Sequence, residues 1–187
     1  NLQKEYNNIF LNVRNTKSGL DTAHKEAYEY AITKNYDYLI TMDADLSHDP
    51  KEIENFVNVL DEFPFVIGSR YIEEGKCLMT GRRLFISKFG NKLIKKVLQI
   101  NSNEFTTSYR GFNISKLKNF HLNQVKNKGY SFFMGTLFEI DKLGYKIKEI
   151  PITFKDRQKG LSKIPKIEVI RTIKNLIILF LKKKIKF

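Results

Sequence analysis

The chain is 187 residues long with 42% hydrophobic residues and a formal net charge of +13, enough apolar content for one cored domain and without internal repeats or low-complexity tracts. A single cysteine, Cys77, excludes an internal disulfide and a cysteine-rich zinc site and points to a reducing compartment. No apolar run approaches the ~20 residues needed to cross a bilayer, and none reads as a signal peptide.

The charge is unevenly spread: residues 1–75 carry 7 Lys/Arg against 14 Asp/Glu, and residues 76–187 carry 26 against 6. An acidic half suits a metal and a basic half faces anions. Nucleic acid, phosphorylated substrates and anionic membrane all satisfy the basic half, as does a simply solvated face, and charge alone does not choose. The chain opens without methionine, partway through what reads as an existing element, the pattern expected of a fragment.

In chain order, Ile9 to Val13 read as a short strand. Arg14 to Leu20 form a turn, and Asp21 or Thr22 caps a helix from about Ala23 to Lys34, with Ala23, Ala27 and Ala31 at helical spacing. Tyr38 to Met42 is an apolar, β-branched run, a buried strand that ends in Asp43-Ala44-Asp45 with Asp49 close behind. Pro50 suits the first position of a helix from Lys51 to about Glu62. Two carboxylates at the carboxyl end of a buried strand stand where open α/β sheets bind ligands, and they can share a hard divalent cation that holds a diphosphate. Acidic capping of the following helix is the plainer explanation of a bare Asp-x-Asp. Phe65 to Gly68 form the next strand, and the strand–helix alternation predicts a mostly parallel sheet.

After a polar loop from Glu73 to Gly81, a helix from Arg82 to about Ile100 carries Ile86, Phe89, Leu93, Val97 and Ile100 at helical spacing, with Lys88, Lys92, Lys95 and Lys96 on much of the remainder. Such a basic amphipathic helix covers a core or lies on a membrane surface. A short helix near Ser115 to Phe120, a helix from Phe132 to Leu143 stopped by Gly144, and an edge or bulged strand from Lys148 to Phe154 broken at Pro151 follow. Asp156 to Lys163 reads as a basic, glycine-containing loop of the kind that folds over phosphates. Lys166 to Phe187 reads as a basic amphipathic tail with interfacial character.

Five segments then occur in one order: Asp43-Ala-Asp-Leu-Ser-His-Asp-Pro50, Gly68-Ser-Arg-Tyr71, Arg83-x-x-x-Ser87, Thr107-Ser-Tyr-Arg-Gly-Phe112 and Asp156-Arg-x-x-Gly-x-Ser-Lys163. Together they resemble the polyprenol-phosphate (dolichol-phosphate) mannosyltransferase group of the family two glycosyltransferases, and Arg14 with Lys17-Ser-Gly-Leu20 is similar to the segment preceding that family's metal motif.

The resemblance implies a GT-A fold, a Rossmann-like, mostly parallel α/β sheet flanked by helices. It implies one catalytic domain with a metal and nucleotide-sugar half (1–75), an acceptor-phosphate half (76–165) and a tail (166–187). By motif position, Asp43 and Asp45 would hold Mg²⁺ or Mn²⁺ and the donor diphosphate, with Ser47 near the metal. Arg70, Arg83 and Ser87 would bind the acceptor phosphate, and Arg157 and Lys163 the donor phosphates; Asp45 and Arg83 are the catalytic candidates. The implied partners are a nucleotide-sugar (GDP-mannose or UDP-glucose), polyprenyl or dolichyl phosphate, and an anionic membrane surface at which a cytoplasmic protein would be peripherally held, with no nucleic acid.

The chain departs from the family's pattern twice. The family's opening strands, with their Pro-x-Tyr-Asn-Glu and Asp-Asp-x-Ser motifs, are not in this sequence, so it carries no complete base pocket. Gly135 also stands where the family places a glutamate, with Glu139 one turn later as a substitute. A family two enzyme acting on a sugar or protein hydroxyl would need a general base, and the related polysaccharide synthases' Gln-x-x-Arg-Trp motif is excluded by the absence of tryptophan. A basic RNA-binding module would use aromatics as stacking platforms but has no use for the acidic pair. The three histidines are dispersed; His48 is expected beside the metal loop in a structural role.

Overall fold

The structure, a computed structural model, describes residues 2–156 and 166–185. Its sheet is built on β1 (Tyr38–Thr41), β2 (Phe65–Ser69), β4 (Arg110–Asn113) and β5 (Ile147–Pro151), in the spatial order β1-β4-β2-β5. β4 is antiparallel to both of its neighbours, whereas β5 is parallel to β2. β1, β2 and β5 therefore run in one direction, as a mostly parallel sheet requires, with one reversed strand inserted between them. The amino end of β4 thus arrives at the same edge as the carboxyl ends of the other three.

Side chains alternate across a strand, and β2 shows the consequence. Phe65 and Ile67 enter one core with residues of α2 (Leu20–Thr33), α4 (Gly81–Leu98), α5 (Ser131–Lys142) and α6 (Lys166–Ile185), while Val66 enters another with Phe56 and Leu60 of α3 (Ile53–Leu60). Burying Phe56 and Leu60 completely stabilises the fold by about 1.5–3 kcal/mol each. α3 comes so close to β4 that a Cβ on Gly111 would stand 2.9 Å from Leu60 Cδ1 and 3.1 Å from Phe56 Cδ1. The helix is entered through a 3₁₀ turn at Pro50–Glu52, where the Asp49 carboxylate accepts from the Lys51 N–H at 3.1 Å, a conventional cap.

β5 is the outermost strand of its sheet, which is where a strand ending in proline is tolerated. Beyond Pro151 the chain changes partners. β6 (Thr153–Phe154) pairs with β3 (Lys76–Cys77) in a second, two-stranded sheet, so the stretch read as one strand is two and the polar loop contains a strand. A short helix, α1 (Leu2–Glu5), opens the described chain.

Three further expectations are corrected. Ile9 to Val13 form no strand: they pair with nothing in a sheet among the described residues and lie exposed, Leu11 by 68% and Val13 by 73%. β propensity without a neighbouring strand leaves the backbone donors and acceptors to water. Asp21 does not cap α2 but lies inside it, buried; Gly19 is the cap residue at φ 106°, and Thr22 Oγ1 donates to its carbonyl at 2.8 Å. Ser115 to Phe120 make turns rather than a helix.

Candidate active site

β1 delivers Asp43 and Asp45 to the sheet edge, and a tight loop fixes them. Leu46, at φ 65°, turns the chain back, so that Asp45 Oδ1 accepts from the Ser47 N–H at 3.1 Å and from Ser47 Oγ at 2.5 Å. The backbone N–H of Asp43 donates to His48 Nδ1 at 3.0 Å. Ser108 Oγ, from the segment leading into β4, donates to Asp43 Oδ1 at 2.7 Å. The reversed strand therefore supplies the group that orients the first carboxylate.

His48 anchors this loop from beneath. Its ring is 2% exposed, lies 4.8 Å from the Tyr109 ring and 5.6 Å from that of Phe154, and has Nε2 3.4 Å from Thr107 Oγ1. Burial pushes its pKa down, with Arg70 adding to that and Asp43 opposing it. A neutral ring with its proton on Nε2 is what an Nδ1 accepting from a backbone N–H requires. Tyr109 ties the same loop down by donating from its hydroxyl to the Asp49 carbonyl at 2.9 Å.

His24, from α2, packs its ring 5.7 Å from that of Phe132 and 5.2 Å from that of Phe133. Burial lowers its pKa from 6.5 to about 4, helped by the Arg110 charge and opposed by Asp43 and Asp21. Arg110 is fully enclosed and donates to three backbone carbonyls, Thr107 at 2.9 Å, Phe133 at 2.8 Å and Phe105 at 3.3 Å. Burial lowers its pKa to about 9. It clamps the approach to β4 against the first turn of α5, which holds Ser108 in place.

The expected acceptor-phosphate residues gather at the junction of β2 and α4, each with a protein partner. Arg70 is 7% exposed and forks onto Glu104, Nε to Oε2 and Nη2 to Oε1 both at 2.7 Å, with Nη2 also reaching Thr106 Oγ1 at 2.8 Å. The rings of Tyr71 and Phe154 lie 5.1 and 4.9 Å from its guanidinium carbon. Burial alone would raise the Glu104 carboxyl, but the Arg70 charge and donors outweigh it and hold the pKa low. Ser87 Oγ accepts from the Tyr71 hydroxyl at 2.7 Å. Arg83, half exposed, binds Asp156 Oδ1 at 2.8 Å. Arg157 and Lys163 lie outside the described residues.

Among the described residues no group of three or more His, Cys, Asp or Glu is arranged around a metal position. Two carboxylates suffice where a hard cation completes its shell with water and a diphosphate, as Mg²⁺ commonly does, and Asp43 and Asp45 fit that donor set. Ser47 is fully buried with its hydroxyl on Asp45, so it orients that carboxylate. At the position of the missing glutamate, the Asn127 side chain fills the space: a Cβ on Gly135 would meet Asn127 Oδ1 at 2.3 Å. Glu139 pairs with Lys142 at 3.1 Å in the last turn of α5.

Sequence reading gave no role to Ser108, Glu104, Tyr71 or His24. Ser108 and Tyr71 had a usable signal, their places in two of the five motif segments; Glu104 and His24 are single residues in unremarkable contexts whose partners are remote in sequence.

The chain is similar in sequence to proteins of known family. The model of the family described as "Glycosyl transferase family 2" matches residues 1–120. The chain is 34% identical over 153 residues to the undecaprenyl-phosphate mannosyltransferase of Micrococcus luteus, covering 81% of this chain and 63% of that protein. It is 32% identical over 153 residues to the polyprenol monophosphomannose synthase of Mycolicibacterium smegmatis, covering 81% of this chain and 58% of that protein. The chain thus spans about three-fifths of the length of the curated relatives it matches.

Proposed function

The chain belongs to glycosyl transferase family 2, and on that premise we propose that it is the catalytic domain of an enzyme moving a hexose, mannose or glucose, from a nucleotide-sugar to a polyprenyl phosphate at a membrane surface, with inversion. The observation that carries this reading is the pair Asp43 and Asp45 at the carboxyl end of β1, oriented by Ser108 and Ser47 at the same sheet edge to which β2 brings Arg70 and Tyr71. The relatives' names supply the acceptor class.

A bound Mg²⁺ or Mn²⁺ on Asp43 and Asp45 would neutralise the charge that develops on the departing diphosphate. The acceptor is already an oxyanion, carrying about 1.5–2 negative charges at neutral pH, so its oxygen attacks the anomeric carbon without a protein base as the bond to the diphosphate breaks. The protein's task is then to position two phosphate groups. Arg83, half exposed and paired with Asp156, exchanges that carboxylate for the acceptor phosphate. Arg70, fixed by Glu104, presents a rigid positive wall beside Tyr71 and Ser87.

The acceptor's tail stays in the bilayer, so this face must lie on it. No helix among the described residues is long and apolar enough to cross a membrane. α4 and α6 instead present exposed apolar residues, Phe85, Ile86 and Phe89 on one and Ile170, Ile173 and Ile177 on the other, beside lysines, the composition of a surface-lying helix.

The test is transfer by the full-length protein from labelled GDP-mannose and UDP-glucose, offered polyprenyl phosphate or a free sugar hydroxyl. A lipid-linked sugar formed only with divalent metal is expected. Transfer to the hydroxyl acceptor with none to polyprenyl phosphate would replace this reading with a hydroxyl-directed glycosyltransferase.

A further inference from the structure

Between α4 and the end of β2 lies a cleft of about 330 Å³, walled by Arg70, Tyr71, Lys88, Lys92, Lys95 and Asn103. Among the described residues no acidic side chain lines it. The lysines recur at positions i, i+4 and i+7 of α4, so one helix face presents all three to the same space. The Arg70 charge is already answered by Glu104, leaving the lysines as the uncompensated charge of the cleft. Lys95 donates to Asn103 Oδ1 at 2.8 Å, whereas Lys88 and Lys92 make no hydrogen bond or ion pair among the described residues. Like charges one turn apart repel, a cost with no structural return within the protein.

The neighbouring face of the same helix is apolar and uncovered: Phe85 is 70% exposed, Phe89 58% and Leu93 39%, with the Phe85 and Phe89 rings stacked 6.1 Å apart. A basic cavity large enough for a lipid headgroup, beside an exposed aromatic strip, matches one chemistry, a phosphate joined to an apolar tail.

We propose that this cleft is a headgroup site for an anionic phospholipid of the bulk membrane, its phosphodiester held by Lys88 and Lys92 and its chains lying along Phe85 and Phe89. It adjoins the acceptor site at Arg70 and Tyr71 but extends away from it along α4, since Lys88, Lys92 and Lys95 line it and Arg83 and Ser87 do not. Lysine also suits a diester monoanion, which takes a point charge and needs no bidentate fork. The proposal rests on the membrane-surface part of the function proposed above. Its consequence is orientation: a lipid seated here pins the middle of α4 to the bilayer and turns the Arg83 end of the helix toward an acceptor embedded there.

The test uses the 187-residue chain and sedimentation with vesicles of phosphatidylcholine alone or mixed with phosphatidylglycerol. Lys88→Gln/Lys92→Gln should weaken binding to the mixed vesicles about 25-fold, about five-fold per lysine, and leave binding to phosphatidylcholine unchanged. Lys118→Gln/Lys146→Gln removes the same charge at the opposite edge of the sheet, where β4 ends and β5 begins, and should change binding by less than about two-fold. In solution, dihexanoyl-phosphatidylglycerol should saturably shift the Lys88 and Lys92 amide resonances of the unsubstituted chain, and inorganic phosphate at equal concentration should not.

Equal losses from the two lysine pairs would overturn the site in favour of diffuse attraction. Equal shifts with inorganic phosphate would overturn the lipid as its source. Failure of the unsubstituted chain to bind any vesicle would overturn the membrane reading as well, whereas undiminished binding by the α4 pair variant would overturn this site alone.

Discussion

Removing Glu104 while leaving Arg70 should be among the most destabilising single changes available to this chain. The carboxylate is 0% and the guanidinium 7% exposed, and they meet in two parallel bonds of 2.7 Å. Breaking a buried pair from one side leaves an uncompensated charge in a medium that solvates it poorly, typically at a cost of about 3–5 kcal/mol. Glu104→Gln also leaves one acceptor oxygen where the Arg70 guanidinium and Thr106 use two, and turns an amide N–H₂ towards one of those donors. Against a total stability of about 5–15 kcal/mol and a urea slope of about 1–3 kcal/mol per molar, the unfolding midpoint should fall by about 1.5 M. The double replacement Arg70→Met/Glu104→Gln removes both charges and should cost much less than the sum of Arg70→Met and Glu104→Gln made singly. The wild-type contribution has a pH signature. The Glu104 carboxyl is held below its ordinary 4.5, so the pair's stabilisation is complete above that value and is lost as pH falls through the lowered folded value. Urea titration of the four proteins at neutral pH measures the cycle. Single changes costing under about 1 kcal/mol each, or costs that simply add, would refute a desolvated, coupled pair.

Asp45→Asn should abolish sugar transfer by the full-length protein while its thermal melt stays within about 2 °C of wild type; Ser108→Ala, which frees Asp43 to rotate, should raise the Mn²⁺ concentration for half-maximal activity about ten-fold. His24 contributes a separate acid sensitivity. Its folded pKa is lowered to about 4 from 6.5, so the unfolded chain takes up the proton first. Stability is therefore complete above pH 6.5 and declines by up to about 3 kcal/mol as pH falls towards 4. His24→Leu should flatten that slope in melts across the interval, with His48 supplying what remains, and an unchanged slope would refute the assignment. Gly111→Ala should destabilise the domain by about 1–3 kcal/mol, because its methyl meets Leu60 and Phe56 at 2.9 and 3.1 Å. Chemical denaturation measures it, and a neutral result would mean that α3 can withdraw.

Much of this site is written locally. The apolar run Tyr38 to Thr41 stops at two aspartates, Pro50 begins the next helical turn, and the periodicities of α2, α4 and α5 lie in short windows, because strands and helices repeat every two or 3.6 residues whatever they pack against. Pro151 likewise marks an edge strand, since it lacks the N–H an interior strand must donate. Tertiary structure alone decided the rest. β4 consists of Arg110, Gly111, Phe112 and Asn113, a sequence with no β-branched residue; it becomes a strand because β1 and β2 stand on either side with unpaired ladders, and its reversal brings Ser108 to Asp43. The same insertion brings Glu104 to Arg70 and sets Tyr109 against His48. Arg70 and Arg83 look alike in sequence, yet one is sealed against a buried carboxylate and the other lies exposed on Asp156. Periodicity records which face of an element is buried. The partner of a charged side chain depends on which distant segment the sheet order places beside it, and on how far water is excluded there.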